Sequence, residues 1–136
     1  MEKVKKLTFE DIEVGYQLEP IRTLVDQEKI NVNAVASLDY NPVHTNPEWC
    51  EKYQVFGTTS TVAHGMMTMS QMTSVVTNWA IPHGWYVSGI DGKFTKPVKE
   101  GTTLTFTAYV KDKHFVGKGE NFIVVSAKAK DDDGEV

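Results

Sequence analysis

The chain has a single cysteine, no uninterrupted apolar run of about 18 residues, and no surplus of positive charge. Cys50, being alone, excludes an intrachain disulfide and fits a reducing compartment, so the expected location is the cytoplasm. It stands beside Glu48 and Glu51, whose charge disfavours a thiolate, and so reads as a structural residue and not a nucleophile. Without a long apolar run no membrane-spanning helix is expected. The opening stretch MEKVKKLTFEDIEVG breaks its few apolar residues with acidic ones before a secretory hydrophobic region can form. A formal net charge of -4 argues against a nucleic-acid partner, and the one basic cluster, Lys3, Lys5 and Lys6, reads as a solvated terminus. No Gly-rich dinucleotide fingerprint follows a strand-like stretch. The four histidines lack a ligand spacing with carboxylates or thiols, so neither a resident metal nor a cofactor is expected.

What is present is an ordinary globular composition, 40% hydrophobic and 24% charged over 136 residues, which predicts one domain over 1–136. Asp26 to Leu38 starts with a candidate N-cap and places Ile30, Ala34, Val35 and Leu38 as one helical face. Pro42 disfavours helical geometry at Asn41, so Asp39 to His44 is predicted to be a turn displaying its polar side chains. From Tyr53 through Ile90 there is no Asp, Glu, Lys or Arg, and such a run is expected to be buried. Within it Gly65 to Trp79 carries Met66, Met69, Met72, Val76 and Trp79 at helical spacing, with Met67 and Val75 widening the apolar face. A helix apolar over so much of its circumference is expected inside a sheet's wrap or an oligomer, with its methionines as packing. Trp85 to Phe94, Thr102 to Lys111 and Asn121 to Lys130 read as antiparallel strands, separated by turns at Lys96 to Gly101 and Gly117 to Gly119. Asp131 to Gly134 opens a hairpin with no returning strand, so either the domain lacks one strand or the protein continues beyond Val136.

The candidate chemistry lies in Asp39, Asn41 and His44, followed about twenty positions later by Ala63-His64-Gly65-Met66 at the head of the second helix. Singly, each has a structural explanation: a turn Asp bonds its own backbone, Asn-Pro is a common turn dipeptide, and a lone His is often a satisfied structural group. Together, Ser37-Leu-Asp39-Tyr-Asn41-Pro42-Val43-His44 resembles the hydratase signature of the MaoC-like dehydratases and (R)-specific enoyl-CoA hydratases. The likeness continues through Thr45-Asn-Pro47-Glu, the His64-Gly65-Met66 step and Phe94-x-x-Pro97-Val98-x-x-Gly101, and starts at Phe9-Glu-Asp-Ile-Glu-Val-Gly15. It implies an α+β hotdog fold, with a long central helix wrapped by an antiparallel sheet, and a homodimer joined along sheet edges. It also implies that Asp39 and His44 form the catalytic pair and that the Gly65 N–H lies in an oxyanion hole. Two departures stand out. Leu38 occupies a position where relatives have Gly, and one strand is lacking at the end; in addition Thr73 aligns with a pocket Ser of some relatives.

The implied reaction interconverts a 2-enoyl thioester and an (R)-3-hydroxyacyl thioester. Adding water requires one proton removed from water and one delivered to the α-carbon, work that an imidazole and a carboxyl can share if an apolar pocket raises the Asp. His44 is the expected base and Asp39 its partner, although sequence does not assign the proton. The first free N–H groups of a helix suit the charge on the thioester oxygen, and Gly65 fits that place. His64 is expected to shape the loop; Asn41, His64 and Thr73 are candidate substrate contacts. Lys93 and Lys96, with Lys99, are candidate partners for the phosphates of CoA, with an acyl-carrier protein as the other possible carrier. The competing readings are a hotdog thioesterase, or a noncatalytic acyl-CoA-binding partner subunit altered at Leu38.

Overall fold

The computed structural model describes residues 6–136; Lys3 and Lys5 of the basic cluster lie outside the described residues. Strand β1, Ile21–Leu24, leads into helix α1, Gln27–Ser37. Asp26 caps α1 by accepting the Lys29 N–H at 2.8 Å, a bond of about 1 kcal/mol that explains the start expected there. The helix ends where Leu38 turns left-handed at φ 59° and ψ 23°. Ile30 and Ala34 are buried as expected, but Val35 and Leu38 are exposed. Val35 lies about 140° around the helix from Ile30, and Leu38 is already past its end.

Asp39 to His44 is not an open turn throughout, because Pro42–Thr45 forms a one-turn helix, α2, with Pro42 in its first turn. Helix α3, Pro47–Tyr53, follows with Asn46 as its cap. The long helix α4 runs Gly65–Ala80, and a 3-10 turn at Ile81–His83 ends it. Its core face is formed by Met67, Thr68, Val75 and Ala80, with Met72, Val76 and Trp79 packed partly against the core. Met66, expected on that face, is exposed.

The sheet is antiparallel in the order β1-β2-β3-β4, where β2 is Thr103–His114, β3 Phe122–Asp131 and β4 Gly134–Glu135. On β2 the alternate residues Leu104, Phe106, Ala108 and Val110 are buried, the period of two that the sequence displays. Helix α4 lies across β2 and β3, so the architecture is the expected α+β arrangement. A returning strand does exist after the Asp131 to Gly134 hairpin, although β4 is only two residues long.

Trp85 to Phe94 corrects the sequence reading: it forms no strand. Its residues have no pairing partner among the described residues, and Gly89 and Gly92 weaken any intrinsic preference for extended pairing. The segment instead runs against α4, where a side chain on Gly92 would meet Met69 Cε at 2.7 Å. The uncharged run from Tyr53 to Ile90 is also not wholly buried, since Tyr53, Val55, Phe56, Ile81, Tyr86 and Ile90 are exposed, Tyr86 at 84%.

Candidate active site

The site is assembled from the end of α1, the short helix α2 and the residues leading into α4. Asn41 caps α2, its Oδ1 accepting the Val43 N–H at 3.1 Å, which orients the turn that carries His44. Asp39 Oδ1 accepts the Asn41 N–H at 3.3 Å, so the two polar residues of the turn brace its backbone. His44 is directed inward, its side chain only 14% exposed, whereas the Asp39 side chain is 53% exposed. The apolar surroundings anticipated for Asp39 are therefore absent, and it is the histidine that is enclosed.

The bond from His44 Nδ1 to the Val62 carbonyl, 2.7 Å, fixes the imidazole tautomer. A carbonyl can only accept, so Nδ1 carries the proton and Nε2 presents its lone pair. That nitrogen is 4.0 Å from Asp39 Oδ2, a span one oxygen atom can bridge by bonding both groups. Burial pushes the His44 imidazole below its ordinary value; the Val62 bond opposes this, His64 adds to it, and the Asp39 carboxylate opposes it. Gln27 secures the main chain here, donating from Nε2 to the His44 carbonyl at 2.9 Å while its Oε1 accepts from the Thr61 hydroxyl.

His64 is 3% exposed and precedes α4 directly. Its ring stacks on that of His44, with centroids 3.8 Å apart and planes inclined by 27°. Asp39, His44 and His64 thus bring potential metal-ligand atoms within 4.8 Å of one another, a grouping that linear spacing concealed. In the observed arrangement His64 Nε2 donates to the Asp39 carbonyl at 3.0 Å, so that nitrogen carries a proton.

A cavity of about 340 Å³ opens beside His44, walled by Gly65, Phe56, Val62, Phe94 and Val98 among others. At its helix end the Gly65 N–H has no acceptor among the described residues, as expected for the first turn of α4. A Cβ on Gly65 would stand 3.3 Å from the Phe94 ring, so glycine is what permits this close wall. Asp39 and His64 are not on the cavity wall.

The other anticipated contacts are dispersed. Thr73 bonds the Met69 carbonyl at 2.8 Å and lines a separate depression with Met66, Met69, Ser70, Ser74, Thr77 and Ile90. Lys96 reaches the cavity but pairs with Asp131 at 2.8 Å, and Lys93 is exposed and off the cavity wall. Cys50 is buried, its thiol pushed up by burial and its Sγ 3.4 Å from the Val43 carbonyl, consistent with a structural role. Sequence reasoning missed Val62 and Gln27. Val62 acts through its main chain, which leaves no mark on residue identity, and Gln27 acts only because α1 folds back over α2.

The MaoC like domain family model matches residues 8–131. The chain belongs to the MaoC-like dehydratase family. An (R)-specific enoyl-CoA hydratase of Rhodospirillum rubrum is 34% identical to this MaoC-like chain over 113 residues, 79% of this chain and 75% of the relative. Among solved structures, the monoamine oxidase regulatory protein from Archaeoglobus fulgius superposes with a TM-score of 0.80 at 25% identity, covering 99% of this chain and 90% of that one. The R-hydratase PhaJ1 from Pseudomonas aeruginosa gives 0.74 at 22% identity, covering 94% of this chain and 78% of its own, a likeness of fold. These neighbours place the MaoC-like chain in the hotdog fold. Among the described residues no helix is long and apolar enough to cross a membrane.

Proposed function

We propose that the protein is a hydro-lyase that adds water to a 2-enoyl thioester, with CoA as the carrier, to give the (R)-3-hydroxyacyl thioester, and that it catalyses the reverse. The observation that carries this reading is the fixed His44 tautomer, whose Nε2 lone pair stands 4.0 Å from the Asp39 carboxylate next to a cavity walled by Gly65, the first residue of α4, whose N–H is free. The water oxygen bonds both groups, His44 Nε2 takes its proton, and the oxygen attacks C3. The electron pair moves through C2 to the thioester oxygen, where the Gly65 N–H holds the charge. Protonation of C2 by the imidazolium completes the addition and restores His44. Asp39 orients the water and offsets the positive charge on His44 during transfer. The apolar walls formed by Phe56, Val62 and Phe94 suit an acyl chain.

Leu38 does not speak for a noncatalytic subunit, because it adopts the left-handed conformation that glycine would adopt and leaves Asp39 in range of His44. The decisive assay is a panel of 2-enoyl-CoAs of varied length, followed by loss of enoyl absorbance and chiral analysis of the product. Predominant (R)-3-hydroxyacyl-CoA is expected. Free thiol without hydration would identify a thioesterase instead, and binding without turnover a partner subunit.

The proposed assembly is a homodimer. Its support is the exposed face of α4 around Met66 together with the unpaired segment 85–94, whose Tyr86 and Ile90 are exposed. Light scattering should give twice the chain mass; an active monomer at assay concentration would refute it.

A further inference from the structure

The geometry points to His64 as a positioning residue that holds the Asp39 main chain so that the carboxylate faces His44, without itself exchanging a proton with substrate. Its kinetic consequence rests on the hydratase reading; its geometry does not. Three observations converge. The first is the strain at Leu38, the residue immediately before Asp39, held left-handed at φ 59° although it has a Cβ. Such a conformation is disfavoured for a residue with a side chain, so a contact from outside the turn at Asp39 helps to hold it. The second is that anchor: His64 Nε2 lies 3.0 Å from the Asp39 carbonyl across 25 positions of chain, and the bond is partly buried. The bonds from Asp39 to Asn41 and from Asn41 to Val43 are local and brace the turn only against itself.

The third observation is that the two histidines have opposite tautomers. His44 must carry its proton on Nδ1 to donate to Val62, and His64 must carry its own on Nε2 to donate to Asp39. Their rings are stacked, so His64 also blocks one face of the His44 imidazole and limits its tilt. His64 Nδ1 is buried without a hydrogen-bond partner, a cost that a merely space-filling residue would not justify. The carboxylate oxygen ends 4.0 Å from Nε2 of each ring, which is the placement the anchor secures.

The donor and the stacked ring can be separated by substitution. His64→Gln retains a donor at about the distance of Nε2 but loses the ring, whereas His64→Phe retains the ring and loses the donor. With the best enoyl-CoA found, His64→Phe should lower kcat roughly 10- to 100-fold, as misplacement of a reacting group does, while KM changes less than about threefold. His64→Gln should recover most of that loss. Independently of substrate, long-range nitrogen-proton NMR of the wild-type imidazoles should show His64 protonated on Nε2 and His44 on Nδ1. Wild-type kcat in a folded His64→Phe protein, or a His64 proton on Nδ1, would overturn the inference. Should the wild-type protein hydrate no enoyl-CoA, the functional reading fails, and the NMR result still decides the anchor.

Discussion

Strand β2 and the turn at residues 38–44 are held in place by opposite means. In β2 every second side chain from Leu104 to Val110 enters the core, and both neighbouring strands pair with the backbone. The turn has little buried apolar surface: Leu38, Asp39, Tyr40 and Asn41 are all exposed, and its geometry depends on a few polar bonds and one residue in a strained conformation. Redundant packing makes β2 a source of stability, whereas the sparse bonding of the turn serves the placement of Asp39 against His44. Stability and reactivity should therefore respond to different substitutions.

The largest effects should appear in turnover. Asp39→Asn and His44→Ala should each reduce kcat by about 10² to 10⁴-fold, because each disrupts the same proton transfer, with cooperative unfolding largely retained. If both act on one water, the double variant should be little slower than the worse single variant, whereas additive losses would mean separate roles. In β2 the converse is expected: Phe106→Ala should lower unfolding free energy by about 3–5 kcal/mol, measured by denaturant titration, since Phe106 is fully buried. A loss under about 1 kcal/mol would remove the contrast between the two regions.

A smaller effect sharpens the comparison from the side of the turn. Leu38→Gly should raise stability by roughly 1 kcal/mol, offset in part by the entropy glycine gains in the unfolded chain, because Leu38 is 75% exposed and forfeits little packing when removed. Measured destabilisation would show that its side chain has a use the isolated chain does not reveal. Least in size is the pH response. Burial lowers the His44 pKa below its ordinary value of 6.5, so the free base persists to lower pH and the acidic limb of kcat/KM should lie below 6.5. The same shift means that the unfolded chain binds more protons at His44. Its contribution to stability is therefore lost as pH falls from 6.5 through the lowered folded value, and His44→Ala should flatten that part of the stability profile.

Much of the secondary structure was legible because local chemistry dictates it. Asp26 begins α1, the alternation around Phe106 announces β2, and the glycines at 117 and 119 separate β2 from β3. The segment 85–94 has similar strand-forming residues and yet stays unpaired, since alternation reports a preference and cannot supply a neighbour. Met66 was misplaced for a related reason: helical spacing shows which residues share a face, and packing decides which face meets the sheet.

The sequence by itself determined the family, through Asp39-Tyr-Asn41-Pro42-Val43-His44 and the His64-Gly65-Met66 step, because side-chain identities at fixed spacing carry that information. Only the tertiary structure decided which nitrogen of His44 is free, that His64 stacks on it and bonds the Asp39 carbonyl, and that Leu38 takes over a left-handed position. Each depends on main-chain groups or on residues distant in sequence. A carbonyl oxygen is the same in every residue, so its place is settled only when the chain has folded.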